Sequence, residues 1–575
     1  MRLEAGGRME RAILWGIICA AVAVRFWRLA HQLPDKVYIE EDEFIYTALK
    51  YGSGDLNPHW FFHPPLYSYI LFALYAAYYL LGRGGGWFPG ADDFVLQYLV
   101  DPSAFYLIAR GLSALLAIPA ALLLHALGRR LYSPRAGLAA AAFYSAAPLA
   151  VLYSHYGCTE PLLIVLVLAV ALCASRALLT GRGGGLVAAG AFAGAAVGVK
   201  YTGVFSFAIL CAAVPRPRRP SSWAALLGAF AAGGIVFLAV CPFPLLSPGE
   251  FFSNIALLAK QPLRVGEYGW VKVSNLYTSF AVRYMPDGMG AALAWASLAG
   301  TVFLWLRHRR EDILAAALPT AFYLVIGRSR LFYDRYMLIC YPFFFLAAAA
   351  LLDAAASRLR GRAGAPLFAA AAAALALAAL AKSAGMVEAL SVPDTALYAS
   401  RWITANLPSG ARILVDGSPI PQSEESIVRE QRLKGESPRR GFAYREKTGL
   451  FFDLQRRAAR GRKGFDVTRL LNPRAFHMEK GGKGYEEEWM TPEMMKARLE
   501  AFGDYDYILV SADGALRYRQ RDMLPERFKF MNDFYAALPG KGTVLKVFSP
   551  ASCRCRGTTF TLYRIADRAA PRPPE

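Results

Sequence analysis

Charge is in short supply in this chain of 575 residues, and what there is comes in clusters. Charged residues make up 19% against 55% hydrophobic, whereas a soluble domain spreads about 25% charged residues over its surface. That shortage excludes disordered, collagen-like and coiled-coil chains, and the length excludes a small disulfide scaffold. Histidine is scarce as well, seven in all, and no HExxH or CxxC pairing fixes a metal geometry. Of eight cysteines, six (Cys19, Cys158, Cys173, Cys211, Cys241, Cys340) fall in or beside apolar runs, where they act as small hydrophobes. Cys553 and Cys555 stand two apart, a spacing that fits neither a zinc ribbon nor a thioredoxin motif and leaves a disulfide open. No Walker loop, Rossmann glycine fingerprint or GxSxG appears, so nucleotide use and serine hydrolysis lack their residues.

What the chain has is long apolar runs. The first, Ile13 to Leu29, follows Arg2, Arg8 and Arg11 and ends in Arg25 and Arg28 without a small-residue cleavage site, which predicts an uncleaved helix. Further spans are expected near 105–128, 136–153, 159–179, 222–241, 289–306, 312–327, 336–352 and 365–382. Short loops holding Arg129, Arg130 and Arg135, then Arg216, Arg218 and Arg219, then Arg307, Arg309 and Arg310 belong on the cytoplasmic side. The N-terminus is therefore expected inside, with 30–104, 154–160, 242–288, 328–335 and everything after about 385 outside the plasma (inner) membrane. The net charge of +21 reads as inside-facing loops near anionic lipid, not as nucleic-acid binding. Residues 186–214 predict a hairpin of two short helices with Lys200 near its outer turn, and 64–82 either spans or lies at the outer face. The expected fold is mostly α: a polytopic helical bundle over residues 1–385 with about eleven spans, or twelve to thirteen, and a C-terminal extracytoplasmic α/β domain over 386–575.

In that second unit, 394–407 reads as an amphipathic helix and 411–417 as a buried strand. Thr491 and Pro492 look like an N-cap and first-turn proline opening a helix through Phe502. Residues 505–512, 543–549 and 559–565 run at strand length. The stretch 429–483 carries 16 Lys/Arg against 6 Asp/Glu, a large share of the excess positive charge.

Acids are rare in the membrane half, so those beside helix ends on the outer face stand out. Glu40, Glu41, Asp42 and Glu43 are adjacent carboxylates whose mutual repulsion raises the proton affinity of at least one. Glu160, in SHYGCTEP (154–161), opens a span beside Pro161. Around them on the same face are His59, His63 and His155 and the cations Arg110, Lys200, Arg328, Arg330 and Arg335. Carboxylates with imidazoles could hold a divalent metal, and the cations a phosphate. Outward acids, outward cations and an apolar surround suit a reaction on a lipid phosphate at the outer leaflet.

The segments EEDEFIY (40–46), SGDLNP (53–58), HPPLY (63–67), SHYGCTEP (154–161), GVKYTG (198–203) and DRYMLICYP (334–342) resemble, in order and spacing, the motif series of class C (GT-C) glycosyltransferases. The resemblance spans most of residues 10–350 and is to the branch holding protein O-mannosyltransferases and the lipid A aminoarabinose transferase. It implies a polyprenyl- or dolichyl-phosphate sugar as donor and an acid of the first external loop in the chemistry. Matched position by position, the Asp-Glu pair of that loop falls on Asp42 and Glu43, and the acid of the second on Glu160, where the relatives usually show Asp. His63 is as in mannosyltransferases, whereas the aminoarabinose enzyme has Lys there. Arg335 and Tyr336 resemble the family's Arg-Tyr motif.

The reading is a membrane glycosyltransferase moving a hexosyl or pentosyl group, with inversion, from a lipid phosphate to a protein, lipid or glycan acceptor. Asp42 would act as base beside Glu43 and Glu160, with His63, His155, Lys200, Arg330, Arg335 and Tyr336 binding substrate. A transporter or flippase of lipid-linked sugars is the alternative. Transporters concentrate ionisable residues at the midplane in repeated halves, and neither feature is seen. A receptor on a passive anchor would not need so many spans.

Overall fold

In lipid a backbone without water must bond to itself, so apolar runs fold as helices. The computed structural model describes residues 2–35, 39–214, 219–260, 276–329, 333–359, 363–416, 419–436, 447–470, 496–497, 499–519 and 529–565. Arg330 and the expected helix start at Thr491 lie outside the described residues.

The N-terminal unit opens with α1 (Arg2–Phe26), α2 (Ile39–Lys50), α3 (Leu66–Gly84) and α4 (Ala91–Val100). It continues through α5 (Ser103–Leu115), α6 (Ala117–Leu131), α7 (Pro134–Ala146), α8 (Pro148–Tyr153), α9 (Glu160–Thr180), α10 (Gly184–Val199), α11 (Phe207–Ala212) and α12 (Pro220–Val240). Then come α13 (Phe243–Leu246), α14 (Pro248–Lys260), α15 (Leu276–Ser279), α16 (Met285–Met289), α17 (Ala291–Arg307), α18 (Arg310–Ile326), α19 (Tyr341–Arg358) and α20 (Gly364–Leu390). Among the described residues, Ser103–Leu131, Glu160–Thr180, Pro220–Val240 and Gly364–Leu390 are long and apolar enough to cross a bilayer, and Gly184–Val199, Tyr201–Ala212 and Ala291–Arg307 are shorter apolar helices. The chain is a multi-pass membrane protein.

Proline cuts one expected span. Over 136–153 the helix stops at Ala146 and restarts at Pro148, because the residue before a proline is driven out of the helical region and Ala147 is extended (ψ 125°). The 186–214 run does turn at Lys200, whose backbone is extended (φ −157°, ψ 135°) between α10 and a 3-10 turn, Tyr201–Ser206. That turn packs against the end of α10 so closely that a Cβ on Gly203 would lie 2.4 Å from the carbonyl carbon of Ala196. Small residues likewise bring α10 and α12 together: a Cβ on Gly190 or Gly194 would come 2.0 or 2.1 Å from the carbonyl oxygens of Ala229 and Gly233.

Beyond α20 lies a small α/β unit. It holds a five-stranded sheet, order β2-β1-β3-β5-β4, from β1 (Arg412–Val415), β2 (Asp466–Arg469), β3 (Tyr507–Ser511), β4 (Gly542–Phe548) and β5 (Phe560–Ile565). β1 pairs parallel with β2 and β3, while β5 pairs antiparallel with β3 and β4. Helices α21 (Thr395–Asn406), α22 (Glu424–Glu436), α23 (Lys447–Ala459), α24 (Ala512–Arg519) and α25 (Lys529–Lys541) accompany the sheet. β2 was not expected: its four residues, Asp-Val-Thr-Arg, sit inside the basic stretch and show no apolar run. α20 runs through the expected boundary at 385 to Leu390. Gln32 donates to the Leu390 and Val392 carbonyls, and Arg401 pairs with Asp35 at 2.6 Å, fastening this unit to the α1–α2 connection. Cys553 and Cys555 are joined by a disulfide.

Candidate active site

The acidic cluster forms the first turn of α2, and helical spacing of about 100° per residue divides it in two. Glu41 and Asp42 point toward α4 and α5. Arg110 grips Glu41 with both arms, Nε to Oε1 at 2.7 Å and Nη2 to Oε2 at 2.9 Å, and the Gly157 N–H donates to the same carboxylate. Glu41 is fully buried there. Asp42 Oδ1 accepts from the Tyr98 hydroxyl at 2.6 Å and the Tyr106 hydroxyl at 2.9 Å.

Glu40 and Glu43 fall on the other flank, where Arg335 hydrogen-bonds to Glu40 Oε1. Glu43 faces the Trp60 indole, and burial together with the neighbouring Glu40 carboxylate pushes its carboxyl up to about 7. From Glu40 a chain of charge runs inward. Arg335 Nε lies 3.7 Å from Glu160 Oε1, and the same oxygen accepts from Lys200 Nζ. Glu160 is 4% exposed and Lys200 and Arg335 are 9% each, so the series is nearly cut off from water. The Tyr336 ring lies under both cations, 5.5 Å from Lys200 Nζ and 5.9 Å from Arg335 Cζ, and Tyr333 flanks Arg335 at 4.9 Å. His63 packs edge-on to Phe44 with ring centroids 5.0 Å apart. Burial, with Lys200 and Arg335 near, lowers its pKa to about 3, so the imidazole is neutral.

Glu43, Glu160, His63, Lys200, Arg335 and Tyr336 are thus brought together from five separated stretches, while Asp42 lies on the opposite flank of α2. His155 is elsewhere: it is fully buried, with Nδ1 2.9 Å from the Val151 carbonyl oxygen and Nε2 3.0 Å from that of Trp27, between α8 and the end of α1. Arg110 is committed to Glu41, and Arg328 is exposed just past α18. Glu40 was underrated from sequence; the three-residue step from Glu40 to Glu43, one helix face, was the signal that could have paired them.

His59 belongs to a second place on this side. Its Nδ1 meets Glu250 at 3.1 Å and its Nε2 meets Asp55 at 3.0 Å, in a cavity of about 480 Å³ that Asn57 and Ser247 also line. The hydrogen bond to Glu250, then that to Asp55, raises its pKa. A divalent metal does not fit either place. Glu40 and Glu160 are turned onto cations, the His59 nitrogens point to opposite acids, and among the described residues no three of His, Cys, Asp and Glu are arranged to hold a metal ion.

The helical membrane unit followed by a small α/β unit is the fold of solved GT-C glycosyltransferases. Residues 106–245 match the dolichyl-phosphate-mannose-protein mannosyltransferase family. ArnT from Cupriavidus metallidurans in the apo state is similar over 97% of this chain and 98% of that one (TM-score 0.54, 14% identity). The same protein bound to undecaprenyl phosphate is similar over the same shares (TM-score 0.53, 13% identity). The Archaeoglobus fulgidus oligosaccharyltransferase tethered to an acceptor peptide is similar over 98% of this chain and 74% of that one (TM-score 0.53, 12% identity). No curated protein matches the chain by sequence.

Proposed function

We propose that the protein transfers a sugar from a polyprenyl-phosphate carrier to an acceptor at the outer face of the plasma membrane, with the N-terminus inside and the α/β unit outside. The observation that carries this reading is the series Lys200, Glu160, Arg335, Glu40, drawn from four separated stretches, its first three members buried and Glu40 part-exposed at its end. Two fixed cations at such a boundary suit a lipid phosphate, and arginine's planar fork suits its oxygens. When the bond from anomeric carbon to phosphate oxygen breaks, the lipid phosphate gains a negative charge, and cations already aimed there lower the barrier.

The acceptor must lose a proton as it attacks the anomeric carbon from the opposite side, which gives inversion. We assign the base to the Glu43 and Glu40 flank of α2, because a carboxyl titrating near 7 is matched to a proton transfer at neutral pH. Asp42, the base expected from sequence, is read as holding that helix in rotation through Tyr98 and Tyr106. Neutral His63, whose buried Nδ1 has no hydrogen-bond partner among the described residues, is a polar contact for the sugar.

The test is purified protein offered a panel of lipid-phosphate sugars, with release of free lipid phosphate as readout. Lys200→Ala and Arg335→Ala should each raise the KM for donor about tenfold or more while the protein stays folded, as loss of a charge-assisted contact does. Unchanged KM and kcat in both variants would rule out the clamp.

A further inference from the structure

Taken as the phosphate clamp proposed above, Lys200 and Arg335 are already in use before a lipid arrives. Glu160 Oε1 accepts from Lys200 Nζ and lies 3.7 Å from Arg335 Nε, so one carboxylate oxygen bridges both cations. That is the position a phosphate oxygen bridging the pair would need. The remaining arm of Arg335 holds Glu40. The side chains of Lys200 and Arg335 are 11% and 10% exposed, so water does little to compensate them, and an unpaired buried cation is costly.

We propose that Glu160 is an internal stand-in for the lipid phosphate, occupying the clamp in the donor-free state and displaced when the donor binds. The anion is exchanged, not added: phosphate takes Lys200 and Arg335, and Glu160 turns away. Arg335, drawn to the phosphate, releases Glu40, so the carboxylate flank of α2 is freed when a lipid phosphate occupies the clamp. After transfer the carrier phosphate holds one more negative charge and would bind its clamp more tightly than the donor did. Glu160, competing for the same cations, returns and expels it. The cost is apparent affinity, since the lipid must first win the clamp from the carboxylate.

The experiment uses the full chain in lipid nanodiscs and equilibrium binding of undecaprenyl phosphate, with undecaprenol, which lacks the phosphate, as control. Glu160→Gln removes the competing charge at almost constant size. It should bind undecaprenyl phosphate about tenfold tighter, a change of about 1.4 kcal/mol, bind undecaprenol as the wild type does, and turn over more slowly because product leaves slowly. Glu40→Gln, at the more exposed end of the series, should tighten phosphate binding to a smaller extent and serves if Glu160→Gln does not fold. Equal or weaker phosphate binding in the folded variants overturns the exchange while leaving the clamp intact. Wild-type binding of undecaprenyl phosphate no tighter than of undecaprenol, unaltered by Lys200→Ala, overturns the clamp and the exchange together.

Discussion

Two adjacent carboxylates on α2 have opposite expected roles, and titration separates them. Glu43 is held up to about 7 by burial and by Glu40, so it is protonated below that pH and becomes a base as pH rises through it. The rate of transfer should climb through about pH 7 and level off above it, and Glu43→Gln should lower kcat about a hundredfold or more and flatten that limb. Asp42→Asn keeps an oxygen for the Tyr98 and Tyr106 hydroxyls. It should keep the wild-type pH profile and lose only a few-fold in kcat, as expected for a positioning group and not a base. A pH–rate profile for the three proteins decides it; a hundredfold loss in Asp42→Asn with a normal profile in Glu43→Gln would restore Asp42 as the base.

Between elements, two contacts hold the site's frame. Arg110 on α5 clamps Glu41 on α2 while the Gly157 amide reaches the same carboxylate from the loop before α9, so one buried pair ties three segments together. Breaking such a pair from one side leaves a buried charge uncompensated and costs about 3–5 kcal/mol. Glu41→Ala should therefore lower the melting temperature of the detergent-solubilised protein, whereas Asp42→Asn should not. The second contact is the His59 bridge from the α2–α3 connection to Glu250 on α14. Both ring nitrogens face carboxylate oxygens, an arrangement that only the imidazolium satisfies, and Asp55 and Glu250 are the titratable groups that face it. A pKa raised in the folded state means the bridge contributes fully below the ordinary histidine value of about 6.5 and fades as pH rises through the raised value. Hydrogen exchange over residues 55–59 should accelerate, beyond the intrinsic chemical rate, as the pH is raised through the elevated His59 value. A purely intrinsic pH dependence would show that the imidazolium is not what holds the loop.

For the whole molecule, chemical labelling reads the sidedness. Leu545 on the edge strand β4 is 42% exposed, and Arg309 stands exposed in the short basic connection between α17 and α18. In intact cells a membrane-impermeant maleimide should label Leu545→Cys and spare Arg309→Cys until the membrane is opened. The reverse pattern would invert the topology and put the acidic turn of α2 on the wrong side for a carrier sugar presented outside. The two units are fastened by Arg401 to Asp35, Gln32 to the Leu390 and Val392 carbonyls at the end of α20 and Arg457 to Asp92 on α4, the first two tying the α/β unit to the connection that leads into the site helix.

Several features of this protein were settled by the order of residues alone. Apolar runs of bilayer length broken by arginine clusters require a membrane helical bundle, since a continuous apolar run satisfies its own backbone in lipid by folding as a helix and lacks the alternation of a barrel strand. Alternating apolar stretches after α20 require strands, and β1, β3, β4 and β5 lie where that pattern puts them. Glu160, Lys200 and Arg335 stood out because an ionisable group at the edge of a long apolar run is too costly to be incidental. What one dimension could not decide is which way each side chain turns. Whether Asp42 or Glu43 meets Arg335 depends on the rotation of α2, and that is fixed by Arg110, Tyr98 and Tyr106, contributed by helices 56 to 69 residues away. The bridging of Lys200 and Arg335 by one oxygen of Glu160, the commitment of His155 to two carbonyls and the seat of β2 beside β1 share that origin. Each depends on a distance between remote segments, which packing sets and local sequence does not encode.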